Sequence, residues 1–166
     1  MEKRPNRKSP RLKNYDYSSA GAYSLTICAK DMKHIFGRVE YNPLGNTMNL
    51  SAVGKIVDET IQSLPAKFPE FEILTYAILP NHLHMLIYKE NEMIEGGRSI
   101  SDFVKSLKAL ATIQIRKIYP KMEVWKDSFH DHIIRNDFDL ENQWFYIEGN
   151  VAKWEKDLYY KPGDEH

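Results

Sequence analysis

With 166 residues, 42% hydrophobic and 28% charged, the chain is long enough to bury one compact core and too short for two large ones. Lysine plus arginine balance aspartate plus glutamate at 23 each, and the formal net charge of zero excludes a protein that coats duplex nucleic acid by bulk electrostatics. No apolar run approaches the roughly 18 to 20 residues that cross a bilayer and no N-terminal stretch reads as a secretory signal, so a cytoplasmic protein with no membrane partner is expected.

The first segment, residues 1–17, carries Lys3, Arg4, Arg7, Lys8, Arg11 and Lys13 and reads as a basic, flexible arm that either tracks phosphates or merely solubilises. Residues 18–158 read as a single domain and 159–166 as a C-terminal tail. Ala22 to Ala29 is rich in aromatic and β-branched residues and is the first predicted strand. The one cysteine, Cys28, falls inside it and reads as a buried thiol, leaving no disulfide framework and no cysteine-based zinc site. Ile35 to Val39 is a short second strand, and Asn42-Pro-Leu-Gly-Asn46 a turn. A helix follows from an N-cap at Ser51, with Val53, Ile56, Val57, Ile61 and Leu64 at helical spacing until Pro65. Phe71 to Leu79 and His82 to Tyr88 make a β-hairpin about the turn Pro80-Asn81. From Ser99, which forms a capping box with Asp102, a long amphipathic helix runs to just before Pro120. Ser128 to Arg135 is a last strand, and about Asp139 to Asp157 a last helix. The order β, β, α, β, β, α, β, α predicts an α+β sandwich, an antiparallel sheet with helices packed on it.

Two histidines share one face of the second hairpin strand. Side chains two apart on a strand point the same way at a Cα separation of roughly 6.5 to 7 Å, so His82 and His84 converge while Leu83, Met85 and Ile87 face a covering helix layer. Imidazoles that converge in this way suit a first-row metal. The pair alone is a weak signal, since the residues that follow, Met85, Leu86 and Ile87, supply no third ligand. A second pair, His130 and His132, competes for the role, and the alternative for both is a satisfied, partly exposed histidine.

The last helix has two stripes. Leu140, Trp144, Ile147, Val151 and Trp154 are spaced to pack on the sheet. Gln143, Tyr146, Asn150 and Lys153 run beside them, placing Tyr146 and Asn150 one turn, about 5.4 Å, apart along the axis. On physical grounds alone Tyr146 reads as an ordinary boundary tyrosine, one of the ten in the chain.

Taken in order, these motifs match a family. Leu79-Pro-Asn-His-Leu-His-Met-Leu86 resembles the LPNH-hydrophobic-H signature of the single-tyrosine HUH transposases, which are IS200-like, and especially their REP-associated tyrosine transposase branch. Ile35-Phe-Gly37, the helix start Ser99 to Val104, Val124-Trp125, Ser128 to Arg135 and Tyr146-Ile-Glu-Gly-Asn150 fall in the same order, and the resemblance spans about Ala20 to Lys156. It implies a ferredoxin-like fold with the histidine strand central, a metal (Mg²⁺ or Mn²⁺) on His82, His84 and Asn150, and Tyr146 as nucleophile. It further implies cleavage and rejoining of single-stranded DNA beside a hairpin through a covalent 5′-phosphotyrosine. Relatives include monomers and dimers, so a homodimer is among the states implied. Many relatives have Pro after the Asn; here Val151 follows, which leaves the helix free to continue. Candidate DNA contacts are Lys105, Lys108, Arg116 and Lys117 on the long helix, with Arg135, although a solvated helix face explains them equally well. The competing readings are a nucleic-acid-binding domain of the same fold without activity and a small metallo-hydrolase using activated water.

Overall fold

Tyr23, Thr26 and Ile27 suit a pleated surface covered on both sides, and Gly21–Cys28 is strand β1 in the computed structural model, which describes residues 21–90 and 98–160. A single 3-10 turn at Lys30–Met32 leads to a two-stranded ribbon, β2 (Gly37–Glu40) and β3 (Thr47–Leu50). The second of these strands was not expected. Ser51 then caps helix α1 (Ala52–Lys67): its hydroxyl oxygen accepts the Gly54 N–H at 3.0 Å and donates to the Ile35 carbonyl at 2.6 Å. The expected stop at Pro65 is displaced by two residues, because Pro65 sits within the final turn and the Phe68 N–H still reaches the Leu64 carbonyl at 2.8 Å.

The hairpin appears as β4 (Phe71–Ile78) and β5 (His82–Lys89), with Leu79 N–H donating to the His82 carbonyl at 2.8 Å across Pro80-Asn81. The predicted capping box is present on α2 (Ile100–Ile115), with the Asp102 N–H to Ser99 Oγ and the Ser99 N–H to Asp102 Oδ2. Strand β6 is short (His130–Ile133), and α3 spans Asp137–Glu148, capped by Asn136. Here the expectation of one helix through Asp157 fails. Gly149 closes α3, and the chain continues through turns into a short 3-10 segment, Trp154–Lys156, that doubles back over the sheet.

The main sheet is antiparallel throughout, in the order β4-β5-β1-β6. Without the β2–β3 insertion the chain reads β1-α1-β4-β5-α2-β6, the split β-α-β arrangement of a ferredoxin-like sandwich, with the histidine strand β5 central. Leu25 and Ile27 of β1 and Leu83, Met85 and Ile87 of β5 are fully buried beneath α1 and α2, against Val57, Ile61, Phe103 and Leu107. Each such side chain contributes about 1.5–3 kcal/mol by leaving water. The opposite face carries Ala22, Leu86, Tyr88 and Ile134 against Leu140 and Ile147 of α3. That second layer decides what surrounds the histidines, which project from the same face.

Candidate active site

His82 and His84 point toward the α3 layer, opposite Cys28 and Thr26 of β1. Their side chains are 0% and 5% exposed. Each ring is fixed through Nδ1. His82 Nδ1–H donates to Asn81 Oδ1 at 2.7 Å, and Asn81 Nδ2 in turn donates to the Tyr159 carbonyl at 2.8 Å. His84 Nδ1 is 2.9 Å from Thr26 Oγ1, donating to it in the tautomer that frees Nε2. With both Nδ1 atoms engaged, the two Nε2 atoms face each other 3.1 Å apart. Such outer partners set ring orientation and raise ligand basicity in metal sites.

A carboxylate that the sequence reading did not single out closes the third side. Asp157 Oδ1 lies 3.5 Å from His82 Nε2 and Oδ2 lies 3.8 Å from His84 Nε2, with the Asp157 side chain 0% exposed. Asp157 Oδ1 also accepts the Tyr159 N–H at 2.8 Å, and Oδ2 accepts from Asn150 Nδ2 at 3.0 Å. Burial alone would raise this carboxyl, but the hydrogen-bonding environment of His82 and His84 holds it well below the usual carboxylate range. Burial lowers His82, reinforced by His84 and opposed by Asp157, so the imidazole favours its neutral form. A neutral His82 committed to Asn81 through Nδ1 turns a lone pair toward a carboxylate and a second imidazole. The set therefore lacks positive charge at its centre, and a cation is what it fits. Two bonds of about 2.1 Å to one ion place neighbouring donors about 3.0 Å apart in octahedral and about 3.4 Å apart in tetrahedral geometry. His82, His84 and Asp157 each offer a donor atom, all within 4.8 Å of one another.

Tyr146 and Asn150 come to the same place. The Tyr146 ring is 5.3 Å from that of His84, while the residue remains 47% exposed. Burial raises its phenol, the charge of Asp157 raises it further, and Asn150 opposes the shift by donating to the phenolate. Asn150 is 3% exposed, just past the end of α3, and its Oδ1 is buried without a hydrogen-bond partner. Tyr159, assigned to the tail by sequence, lies over the site with its ring 4.8 Å from His82. Trp154 is fully buried, 5.9 Å from the His82 ring, and anchors the returning segment.

The remaining candidates lie elsewhere. His130 and His132 are exposed on edge strand β6, where His132 Nε2 donates to Asp139 Oδ2 at 2.8 Å and ties the strand to the start of α3. Gln143 accepts from Ser24 at 2.9 Å. Lys105, Lys108, Arg116 and Lys117 belong to the α2 region, on the far side of the sheet from the histidines. Of these, Lys108 directs Nζ at the Lys126 carbonyl, 2.7 Å away, and its burial lowers its pKa. Arg116 Nε donates to the Met122 carbonyl at 3.3 Å. Arg135 is exposed on the link between β6 and α3. No helix among the described residues is long and apolar enough to cross a membrane.

Residues 46–150 match the family described as Transposase IS200 like. The chain belongs to the IS200-like transposase family. An uncharacterized protein of Haemophilus influenzae is 31% identical to this transposase family member over 172 residues, covering 93% of each chain. A second H. influenzae protein, carrying the name of a REP-associated tyrosine transposase, is 25% identical over 86% of this chain and 77% of its own. Among solved structures, a REP-associated tyrosine transposase bound to a REP hairpin superposes with a TM-score of 0.59 at 19% identity, covering 87% of this chain and 73% of that one. A Deinococcus radiodurans protein described as a transposase gives 0.53 at 17% identity, covering 86% and 99%. At those identities the two structures support the fold alone, and the ferredoxin-like reading agrees with them.

Proposed function

We propose that this protein cleaves and rejoins single-stranded DNA, with Tyr146 as nucleophile and the histidine pair as the seat of a divalent ion, Mg²⁺ or Mn²⁺. The observation that carries the reading is the half-exposed Tyr146 phenol ring 5.3 Å from the His84 ring of the same chain. A tyrosine reachable by a strand and adjacent to a buried donor cluster combines the two groups that phosphodiester transfer requires. When bound on His82 and His84, with Asn150 or Asp157 beside them, the ion supplies charge neutralisation at the scissile phosphate.

The chain's own groups carry the rest. The Tyr146 oxygen forms a bond to phosphorus as the bond to the 3′-oxygen breaks; the phenol loses its proton and the leaving 3′-oxygen gains one. A 5′-phosphotyrosine and a 3′-hydroxyl result. Since the phosphodiester bond is retained as an ester to the protein, attack by another 3′-hydroxyl joins new ends without a nucleotide cofactor. Both groups come from one chain, so a cis active site is sufficient and a homodimer is not required to complete it. The REP hairpin bound by the structural neighbour supports a hairpin-bearing single strand as the partner. Arg135 and the exposed Lys105 and Lys117 are proposed phosphate contacts outside the reacting centre.

The test is a denaturation-resistant protein–DNA band formed from end-labelled single-stranded hairpins with Mn²⁺. It is expected with the native chain and absent with Tyr146→Phe, which keeps DNA binding. Cleavage that survives Tyr146→Phe would mark a metallo-hydrolase instead, and binding with no adduct from the native chain would mark an inactive DNA-binding domain.

A further inference from the structure

The family resemblance makes Asn150 the third ligand, but the side chain that meets the histidines in this structure is Asp157. Asn150 turns its amide nitrogen, not its oxygen, inward: Nδ2 donates to Asp157 Oδ2 at 3.0 Å. The carboxylate stands 3.5 Å from His82 Nε2 and 3.8 Å from His84 Nε2, which are 3.1 Å from each other. The two spacings that involve His82, 3.1 and 3.5 Å, lie close to those of neighbouring ligands on one ion, and the 3.8 Å contact of the other carboxylate oxygen is a little longer. We propose, building on the metal-centre reading above, that Asp157 is the third protein ligand of the divalent ion and that Asn150 is the residue that positions it.

Three physical points favour this division of labour. Both imidazoles engage Nδ1 elsewhere, with Asn81 and Thr26, and so turn Nε2 toward the fully buried Asp157 carboxylate, an arrangement that a divalent cation would fill. Turning the Asn150 amide over to present Oδ1 would set an acceptor against Asp157 Oδ2 and remove one of the carboxylate's donors, so Asp157 itself enforces the observed orientation. The amide nitrogen also has two hydrogens, of which Asp157 Oδ2 takes one, so the second is available to the phenol of Tyr146 four residues earlier. Asn150 thus couples nucleophile to ligand without bonding the ion. Two imidazoles and one carboxylate form a donor set with open positions, as a substrate phosphate requires. Asp157 lies beyond the segment 46–150 that matches the family, on the return that Trp154 anchors.

The experiment is Mn²⁺ titration calorimetry on the full chain, with Co²⁺ absorption spectra as an independent report on the ligand set. His84→Ala should abolish binding; if it does not, the metal-centre reading itself falls. Asp157→Ala should weaken Mn²⁺ by more than about 100-fold and change the cobalt spectrum, while Asn150→Ala should cost roughly 10-fold, within the range for an outer-shell partner, and leave the spectrum's shape unchanged. Asp157→Ala with Asn150→Ala should bind no more weakly than Asp157→Ala alone, because a residue acting only through Asp157 has nothing left to position. Asp157→Asn, which keeps the side-chain volume, serves if the alanine variant does not fold and should also lose affinity. Losses from Asn150→Ala that match His84→Ala while Asp157→Asn stays near native, or losses that add in the double variant, would overturn the proposal.

Discussion

Thr26→Val isolates one link between the sheet and the chemistry. The substitution keeps a β-branched side chain of nearly the same shape on central strand β1, so strand propensity and packing are preserved. It deletes one hydrogen bond, the 2.9 Å contact between Thr26 Oγ1 and His84 Nδ1. The His84 side chain is 5% exposed, so Nδ1 finds little replacement in water. A buried donor left unpaired costs about 1–3 kcal/mol, larger than the roughly 0.5–1.5 kcal/mol net value of an average hydrogen bond. The same loss frees the imidazole to rotate and to carry its proton on Nε2, and outer-shell losses of this kind reduce metal affinity by about 10–100-fold. Urea denaturation of the metal-free chain should therefore show a lower midpoint with an unchanged slope. Mn²⁺ titration should show weaker binding on top of that. Unaltered Mn²⁺ affinity in a correctly folded Thr26→Val chain would refute the reasoning, because packing alone would then be orienting His84.

Trp154→Ala removes a fully buried anchor of the returning segment and should destabilise the protein by about 3–5 kcal/mol; limited proteolysis should cut first after Gly149, and an unchanged cleavage pattern would show that the segment is held by other contacts. Tyr76 offers a pH test away from the site: burial, and then its 2.6 Å hydrogen bond to Asp58, push its phenol up to about 12. A folded-state pKa above the unfolded value of about 10 means that this contribution is complete below about pH 10 and is lost as pH rises toward 12. Ultraviolet titration should lose a late-ionising phenol in Tyr76→Phe relative to the native chain, and the variant's stability should fall less steeply in alkali.

The parts of this molecule that were legible in its sequence are those governed by local rules. Richness in aromatic and β-branched residues identified β1, the turn Pro80-Asn81 between two strand-like runs identified β4 and β5, the Ser99–Asp102 pair marked the start of α2, and alternation placed Leu83, Met85 and Ile87 opposite the histidines. The short strand Thr47–Leu50 escaped because it pairs only with β2 in a half-exposed ribbon and adjoins a turn cluster. The overlong last helix has a more instructive cause. Leu140, Ile147, Val151 and Trp154 keep helical spacing across Gly149, because the turns and the 3-10 segment preserve a right-handed course while bending the chain back. Periodicity reports which side chains face inward, and it is blind to a break that leaves them facing inward.

That break is what brings Asp157 to the histidines. Seen as a sequence, Asp157 is one of several acidic residues in an acidic C-terminal region; only a chain that reverses after Gly149 brings its carboxylate within 3.5 Å of His82. The groups that orient the site were hidden for the same reason. Asn81 was visible as a turn residue and Thr26 as a strand residue, and each also holds one imidazole through Nδ1. Asn81 goes further: by bonding the Tyr159 carbonyl it joins the turn that begins the histidine strand to the segment that carries Asp157. One carboxamide therefore couples the orientation of the first histidine to the position of the carboxylate. The geometry of the centre consequently depends on the C-terminal return as much as on the strand that displays the histidines.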